Sequence, residues 1–371
     1  ALNGLKVLDF STLLPGPFAT LYLADLGAEV VHIESPNRPD LVRLFPPYAN
    51  GQATSHSYLN RNKQSVMLDL KDPDSIAQIK ANIKDYDIVV EQFRPGVMQR
   101  LGLDYATLAE IHPGLIYCSI TGYGQSGPYQ AKAGHDINYL ALSGIAGHSG
   151  RLESGPPAMG IQIADVAGGS MHALVAILAA VIERQSSGQG QYIDISMTDC
   201  AATLNNMAAS ASLAGNQHQQ IESGYLNGGT FYDYYQTQDD RYLSIGSLEP
   251  QFMQGLVLLL DLPIILEKGA SFVPEDHALV KQAIRDKISS QPLSHWQALF
   301  SQADFCVEPV LKLAEALHSE LAQQREWVVQ VPVKADQREQ TEAQLACPIK
   351  FSRSTMRYQF IGQALGETEE W

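Results

Sequence analysis

The sequence predicts an α/β protein: a large domain with a doubly wound, mainly parallel sheet, and a smaller α+β domain. Short apolar strands alternate with helical segments through the first half of the 371-residue chain, which is typical of a parallel sheet covered by helices. Composition then shifts at residues 215–227, which are rich in Gln, Gly and Asn. Beyond them, two strand-like segments flank a polar turn, as in an antiparallel hairpin.

Six segments are predicted to be strands of the large sheet because they are short, apolar and rich in β-branched or aromatic residues. They span residues 6–10, 29–34, 65–70, 86–91, 115–121 and 189–195. Helices are predicted among them, at residues 18–26, from 73 onward, and at 106–111, 165–185 and 198–213. Residues 35–63 contain several prolines and are predicted to form a long loop.

The smaller domain is predicted from a hairpin and the helical patterns that follow it. Residues 231–237 and 241–246 form the hairpin, and the helical patterns continue to about residue 317. The tail, residues 330–371, has only short strand-like and loop-like segments. Because such segments cannot bury a core of their own, we expect the tail to pack against an earlier part of the chain.

Charge and cysteine usage limit the classes of function. The formal net charge of −15 argues against a nucleic-acid or anionic-membrane surface, since both need a basic face. No run of about 18 apolar residues is present, so no membrane span is expected. The four cysteines stand singly, which favours reduced thiols in a cytoplasmic protein and no metal site. A local basic cluster can still bind an anionic small molecule, and the candidates are Arg38, Arg43, Arg61, Lys63, Arg94 and Arg100.

A glycine-rich loop follows the fifth predicted strand. The segment Thr121-Gly122-Tyr123-Gly124-Gln125-Ser126-Gly127-Pro128 satisfies the GxGxxG pattern of dinucleotide-binding loops. Pro128 and a further glycine soon after it leave no room for the long helix that such a loop must open. A loop that lets its backbone approach a ligand closely is therefore favoured over a dinucleotide site.

His135 and Asp165 are the candidate acid/base pair. His135 follows the glycine loop near the carboxyl end of a predicted strand, where open α/β sheets bind ligands. Asp165 precedes the small residues that open a long helix. A carboxylate there can act as a base or nucleophile beside helix amides that stabilise an enolate. The alternatives are a structural histidine and an ordinary helix N-cap.

Glu249 is the third candidate of the site. It lies between a strand and a helix of the smaller domain, in the segment Ile245-Gly246-Ser247-Leu248-Glu249-Pro250. In the functional interpretation its carboxylate orients His135. In the alternative it is a solvated glutamate in the first turn of a helix.

At these residues the sequence resembles the alpha-methylacyl-CoA racemases of the class III CoA-transferase superfamily. The resemblance covers nearly the whole chain. It is carried by Pro15-Gly16-Pro17-Phe18, Ala24-Asp25-Leu26-Gly27-Ala28, Phe93-Arg94-Pro95-Gly96-Val97, Arg100-Leu101-Gly102-Leu103, Gly122-Tyr123-Gly124-Gln125-Ser126-Gly127-Pro128, Ala133-Gly134-His135-Asp136-Ile137-Asn138-Tyr139, Glu183-Arg184-Gln185-Ser186-Ser187-Gly188-Gln189-Gly190 and Glu249-Pro250-Gln251-Phe252.

The resemblance implies an interlocked homodimer in which each chain has two domains. Residues 1–198 then form a large CoA-binding α/β domain, which residues 330–371 complete. Residues 227–316 form the small α+β domain. Residues 199–226 and 317–329 are the linkers that join the two. Which chain of the dimer supplies Glu249 stays open.

The resemblance also implies the reaction and its residues. His135 and Asp165 exchange a proton at C2 of a 2-methylacyl-CoA thioester through an enolate, and Glu249 pairs with His135. No cofactor or metal is needed, because CoA is part of the substrate. In the transferase branch, Asp165 is instead a nucleophile that moves CoA between carboxylic acids. Ser35 stands where racemases often have a phosphate-binding arginine, so that role passes to Arg38. The implied CoA- and substrate-binding residues are Arg38, Leu59, Asn60, Lys63, Arg94, Gly134, Asp136, Asn138 and Tyr139.

Overall fold

The six predicted strands form one six-stranded sheet in a computed structural model that describes residues 1–271, 273–301 and 304–371. Along the chain, the strands of these residues are β1 (Lys6–Asp9), β2 (Glu29–Glu34), β3 (Tyr48–Ala49), β4 (Gln52–Ala53), β5 (Lys63–Met67), β6 (Ile88–Glu91), β7 (Ile116–Thr121), β8 (Tyr192–Ser196), β9 (Asp233–Gln236), β10 (Tyr242–Ile245), β11 (Val307–Pro309), β12 (Val328–Lys334) and β13 (Gln337–Leu345).

The helices of the described residues cover the sheet and build most of the second half of the chain. They are α1 (Pro15–Asp25), α2 (Thr54–Leu59), α3 (Pro73–Asn82), α4 (Val97–Leu101), α5 (Tyr105–Ile111), α6 (Asp136–Leu142), α7 (Met171–Ser187), α8 (Met197–Leu204), α9 (Asn206–Gly215), α10 (Pro250–Leu260), α11 (Ile264–Lys268), α12 (Pro274–Ile288), α13 (Leu293–Phe300), α14 (Leu313–Leu317) and α15 (Glu320–Gln324).

The large sheet is parallel throughout, with the strand order β5-β2-β1-β6-β7-β8. Its central strands are buried along almost their whole length, as expected for strands that read as continuous apolar runs. Leu8, Val89 and Tyr117 share one core cluster with Ile79 of α3 and Leu108 of α5. All six strands lie close to their predicted positions, which confirms the prediction of a parallel α/β fold.

Two compact units make up the described chain, and their boundaries differ from the predicted domains. The first unit comprises Ala1–Ser143, Met159–Leu204 and Glu320–Trp371. The second comprises Gly144–Ala158 and Asn205–Ser319. Residues 199–226, predicted to be a linker, contain the end of α8 and all of α9, where a single helix at residues 198–213 was predicted.

The second unit includes the short segment Gly144–Ala158, which no sequence pattern assigned to it. Arg151 of this segment pairs with Asp233 and, at 3.3 Å, with Glu222. Lys281 of α12 reaches the same Asp233 carboxylate at 2.9 Å. These ion pairs explain why the segment belongs to this unit. The predicted hairpin is present as β9 and β10, and β11 adds a third strand that was not predicted.

Residues 35–63 hold more regular structure than the predicted loop. A 3₁₀ turn at Leu41–Leu44, the short pair β3–β4 and helix α2 all lie within them. The prolines of this region fall before or between these elements, and their number led to the prediction of one continuous loop.

The tail packs on the first unit, as predicted. After the β12–β13 hairpin, Gly362 donates its N–H to the Ser57 carbonyl at 2.9 Å, and Ile361 is buried. The Trp371 ring lies 6.1 Å from that of Tyr86. The first unit therefore takes part of its core from the end of the chain.

Helix α7 and the turn before it form the longest helical element, Ala164–Ser187. By length and composition alone, its 24 residues with a mean hydropathy of 1.8 are enough to cross a membrane. The search for uninterrupted apolar runs in the sequence did not identify this segment. The helix contacts α1, β7 and β8, and Ala173 and Ile177 are fully buried. The core helix of a globular domain has the same properties.

Candidate active site

A cavity of about 400 Å³ lies at the carboxyl ends of the parallel strands in the first unit. Its walls come from the segments that follow β1, β6, β7 and β8, which are residues 12–15, 92–95, 121–123 and Met197. The carboxyl ends of parallel strands meet at one edge of the sheet, where α/β proteins bind ligands. His135 and Asp165 both line this cavity, so two candidates that are 30 positions apart in sequence are brought together.

His135 is held by its backbone and leaves its imidazole exposed to the cavity. The residue directly precedes α6 in extended conformation. Its N–H donates to Asn138 Oδ1 at 3.0 Å, and its carbonyl accepts from the N–H of Asn138 at 2.8 Å. Because the main chain makes these bonds, the ring is free to exchange a proton with a ligand.

Asp165 lies in a π-helical segment, Ala164–Ser170, that continues into α7. The alternative of an ordinary helix N-cap is wrong, because Ile163 occupies that position. The Asp165 N–H donates to Asp136 Oδ1 at 3.0 Å and is therefore not free to hold an enolate oxygen. Burial of the half-buried carboxyl, and then the nearby charge of Asp136, raise its pKa to about 7. Such a group can both accept and donate a proton near neutral pH.

The π-helical turn depends on two glycines. A Cβ atom on Gly169 would lie 3.0 Å from Met197 Cγ, and one on Gly168 would lie 3.2 Å from the Met197 carbonyl. Without these Cβ atoms the turn packs directly on the start of α8. Short π-helical insertions are frequent at functional sites, and this one carries Asp165.

The glycine-rich loop forms a wall of the cavity and opens no helix. Tyr139 packs its ring against the loop, and its hydroxyl donates to the Gly134 carbonyl at 2.6 Å. A Cβ atom on Gly122 or Gly134 would lie 2.5 or 2.6 Å from Tyr139 Cε1. Glycine is required at both positions because a larger residue would displace the tyrosine.

Cations line one part of the cavity. Arg38 and Arg94, both exposed, are two of the predicted binding residues. Lys132, which the prediction did not include, joins them and lies 4.6 Å from the Tyr129 ring centre. Guanidinium and ammonium groups of this kind bind phosphate.

The other predicted cations of this region are engaged in internal contacts. Arg61 pairs with Asp25 through two hydrogen bonds of 2.9 and 2.6 Å and is almost fully buried. Arg43 pairs with Glu34. Arg100 is exposed and lies outside the lining of the cavity. The sequence therefore predicted a larger basic cluster than the structure forms.

Leu59, Asn60 and Lys63 do not line this cavity, and their role as binding residues stays a prediction. All three side chains are buried, and Lys63 is only 1% exposed. The Lys63 ammonium contacts the Pro17 carbonyl at 3.0 Å, Asn60 Oδ1 at 3.1 Å and Asp9 Oδ2 at 3.4 Å. Lys63 is thus a structural cation beneath the start of α1, and the loop after β1 rests on it.

Asp136 and Asn138 contact the candidate catalytic residues. Asp136 accepts from the Asp165 N–H, and Asn138 accepts from the His135 N–H. Neither residue lines the cavity. These two bonds explain why Asp136 and Asn138 belong to the Ala133–Tyr139 motif. They hold the backbone of Asp165 and the backbone of His135.

Glu249 belongs to the second unit, where it occupies the N-cap position of α10. Its side chain is exposed and makes no capping bond to the helix. Its exposure at the start of a helix fits the alternative of a solvated glutamate. The pairing of Glu249 with His135 stays a prediction.

Glu91 supports the loop that carries Arg94. It ends β6, is 3% exposed, and accepts the Phe93 N–H at 2.8 Å. Burial raises the pKa of its carboxyl to about 7, against the opposing effect of the Ser119 hydroxyl. Glu91 also lines a neighbouring cavity of about 560 Å³ that shares Arg94 and Pro95 with the candidate site.

We expect Glu91→Gln to stabilise the protein at high pH. The folded protein keeps a proton on Glu91 that the unfolded chain releases above about pH 4.5, so stability falls as pH rises toward 7. The full effect is on the order of 3 kcal/mol. Thermal unfolding of both proteins at pH 5 and pH 8 tests this: the variant should melt higher than wild type at pH 8 and close to it at pH 5. Glu110→Gln, on the exposed side of α5, is the matched control. A variant less stable at both pH values would contradict the prediction.

Sequence reasoning missed several lining residues, although one signal was available for them. Thr121 ends β7, Gln92 and Met197 directly follow β6 and β8, and Lys132 lies between the glycine loop and α6. The rule that ligands bind at the carboxyl ends of parallel strands, applied to every predicted strand, would have indicated most of them. Within the described residues, no group of three or more His, Cys, Asp or Glu side chains is arranged to hold a metal ion.

Comparison with known proteins identifies the family. The family model described as CoA-transferase family III matches residues 2–367. Alpha-methylacyl-CoA racemase of Homo sapiens is 35% identical over 326 residues, which are 88% of this chain and 81% of that protein. Acetyl-CoA:oxalate CoA-transferase of Acetobacter aceti is 34% identical over 322 residues, which are 85% of this chain and 82% of that protein.

Solved structures show the same fold. The crystal structure of a CAIB/BAIF family protein from Brucella suis has a TM-score of 0.85 and 26% identity to this chain. The match covers 99% of this chain and 96% of that one. The chain therefore belongs to CoA-transferase family III, as one of the enzymes of the group that contains both CoA-transferases and racemases.

Proposed function

We propose that this enzyme racemises or epimerises C2 of a 2-methylacyl-CoA thioester. The observation that carries the proposal is that His135 and Asp165 line one cavity at the carboxyl edge of the sheet. Racemisation needs two proton-transfer groups, because the proton leaves one face of the α-carbon and returns to the other. The similarity to a human alpha-methylacyl-CoA racemase supports the same conclusion.

The proposed chemistry needs only side-chain acids and bases. The thioester makes the α-hydrogen acidic, so one of the two groups removes it and leaves an enolate. The other group then donates a proton to the opposite face. The pKa of Asp165, raised to about 7 by burial, suits this task, since the carboxyl can start a turnover in either protonation state.

The cations at the cavity supply an anchor for the CoA part of the substrate. Arg38, Arg94 and Lys132 offer a charge of the sign that the CoA phosphates require, on a chain whose formal net charge is −15. CoA enters and leaves as part of the thioester, so we propose no further cofactor.

The second candidate function is CoA transfer between carboxylic acids. It is favoured by the transferase of Acetobacter aceti, whose identity to this chain is nearly that of the racemase. In this reaction the Asp165 carboxylate attacks the thioester carbonyl and CoA leaves as the thiolate, which forms a mixed anhydride. Asp165 alone is needed for that step, whereas the proposed racemisation needs His135 as well.

Solvent deuterium exchange tests the proposal. Incubation of the wild-type enzyme with a 2-methylacyl-CoA thioester in D₂O should place deuterium at C2 when no free acid is present, and mass spectrometry measures its incorporation. A racemase should also convert a pure C2 epimer into a mixture. Exchange that occurs only after a free carboxylic acid is added, or that does not occur at all, would reject racemisation. Transfer of CoA to an added acid without exchange would establish the second function.

A further inference from the structure

Thr121 carries a buried hydroxyl that has no hydrogen-bond partner among the described residues. It is the last residue of β7, is 7% exposed, and lines the candidate cavity. Most buried hydroxyls in proteins are hydrogen-bonded, because removing one from water without a partner costs free energy. An unpaired hydroxyl at the wall of a ligand cavity therefore needs an explanation.

Neighbouring hydroxyl groups have hydrogen-bond partners within the protein, so the unpaired hydroxyl of Thr121 differs from those around it. Tyr192 donates its hydroxyl to Ser119 Oγ at 3.1 Å, and Tyr139 donates its own to Gly134. The Gly122 carbonyl, which follows Thr121 directly, accepts two bonds from Thr198: one from N–H at 3.0 Å and one from Oγ1 at 2.7 Å. That neighbouring carbonyl has no lone pair left for Thr121.

Two chains of contact place Thr121 between the candidate catalytic segments. On one side, Gly122 lies against the ring of Tyr139, which binds the carbonyl just before His135. On the other side, Thr121 pairs in register with Ser196 of β8. Met197, which follows Ser196, packs on Gly169 of the π-helical turn that carries Asp165. These contacts place Thr121, a residue that lines the cavity, between the two candidate catalytic segments.

We propose that the Thr121 hydroxyl donates a hydrogen bond to the carbonyl oxygen of the bound thioester. This inference rests on the proposed binding of an acyl-CoA in this cavity and adds a contact that holds the oxygen on which enolate charge develops. The Asp165 N–H cannot supply that bond, since it is committed to Asp136. A buried donor aimed at such an oxygen stabilises the charge without reorganisation of water.

Thr121→Val tests the inference, because valine keeps the β-branched shape and removes only the hydroxyl. We expect kcat/KM for α-hydrogen exchange to fall roughly tenfold to hundredfold, and affinity for the thioester to fall about three- to tenfold. Affinity for free CoA, which lacks the carbonyl, should stay within about twofold of wild type. Thr121→Ser, which restores a hydroxyl, should recover most of the loss.

Stability measurements separate this contact from a structural role. Since the hydroxyl has no partner in the unliganded protein, Thr121→Val should melt at or above the wild-type temperature. A lower melting temperature, or an unchanged preference for thioester over free CoA, would overturn the inference. The binding comparison needs no turnover, so it tests Thr121 even if wild-type enzyme shows no α-hydrogen exchange and the racemase proposal fails.

Discussion

Replacement of Asp165 by asparagine should lower the rate of α-hydrogen exchange on the order of a thousandfold. Asparagine has nearly the same shape and cannot accept the substrate proton. The backbone bond from residue 165 to Asp136 does not involve the side chain, so the π-helical turn should be retained. Substrate affinity should change little, because the cations at the cavity are untouched. The loss should appear in kcat rather than in KM, measured by isotope exchange under saturating thioester.

The pH dependence of Asp165→Asn provides a second readout. Burial raises the pKa of Asp165 to about 7, so the wild-type rate should change with protonation of this group near neutral pH. The residual rate of the variant should lose that dependence. Asp199→Asn, on an exposed position of α8, is the matched control and should behave as wild type. A variant that retains exchange within about tenfold would show that Asp165 is not a required proton-transfer group of the racemisation.

The sheet could be predicted from the sequence because its strands are buried on both faces. Such strands read as apolar runs, and each one was placed within a few residues of its observed ends. The order β5-β2-β1-β6-β7-β8 could not be predicted, because local patterns do not specify which strands are neighbours. The strand β11 was missed for a related reason: it is short, and its pairing with β10 depends on contacts distant in sequence.

The candidate site shows the same division between local and distant information. His135 and Asp165 stand out because glycines surround them and because the whole chain resembles a family. Whether a cation faces a ligand depends on burial, and burial depends on the whole fold. Arg61 and Lys63 read as surface charges, yet each is about 1% exposed because a carboxylate from a distant segment neutralises it. The π-helical turn at Asp165 was also beyond prediction, because its composition is equally compatible with an α-helix.

Substitution of His135 by alanine separates the two proposed functions. If the enzyme is a racemase, interconversion of the C2 epimers should fall by roughly a hundredfold to ten-thousandfold, since one of the two proton-transfer groups is lost. If it is a transferase, CoA transfer to an added carboxylic acid should persist, because the nucleophile Asp165 remains. The imidazole is exposed and outside the core, and Tyr139 still holds the Gly134 carbonyl. The melting temperature should therefore stay near that of wild type.

A control variant and two activity measurements on the same preparations make the His135→Ala experiment decisive. His218→Ala removes an exposed histidine from the second unit and should leave both activities intact. Interconversion of the C2 epimers and CoA transfer are then followed in the same preparations of wild type, His135→Ala and His218→Ala. Loss of epimer interconversion in the His135 variant alone supports two-group proton transfer. A His135 variant that interconverts the epimers at the wild-type rate would exclude that residue as an acid or base, and CoA transfer without exchange in all three proteins would favour the second function.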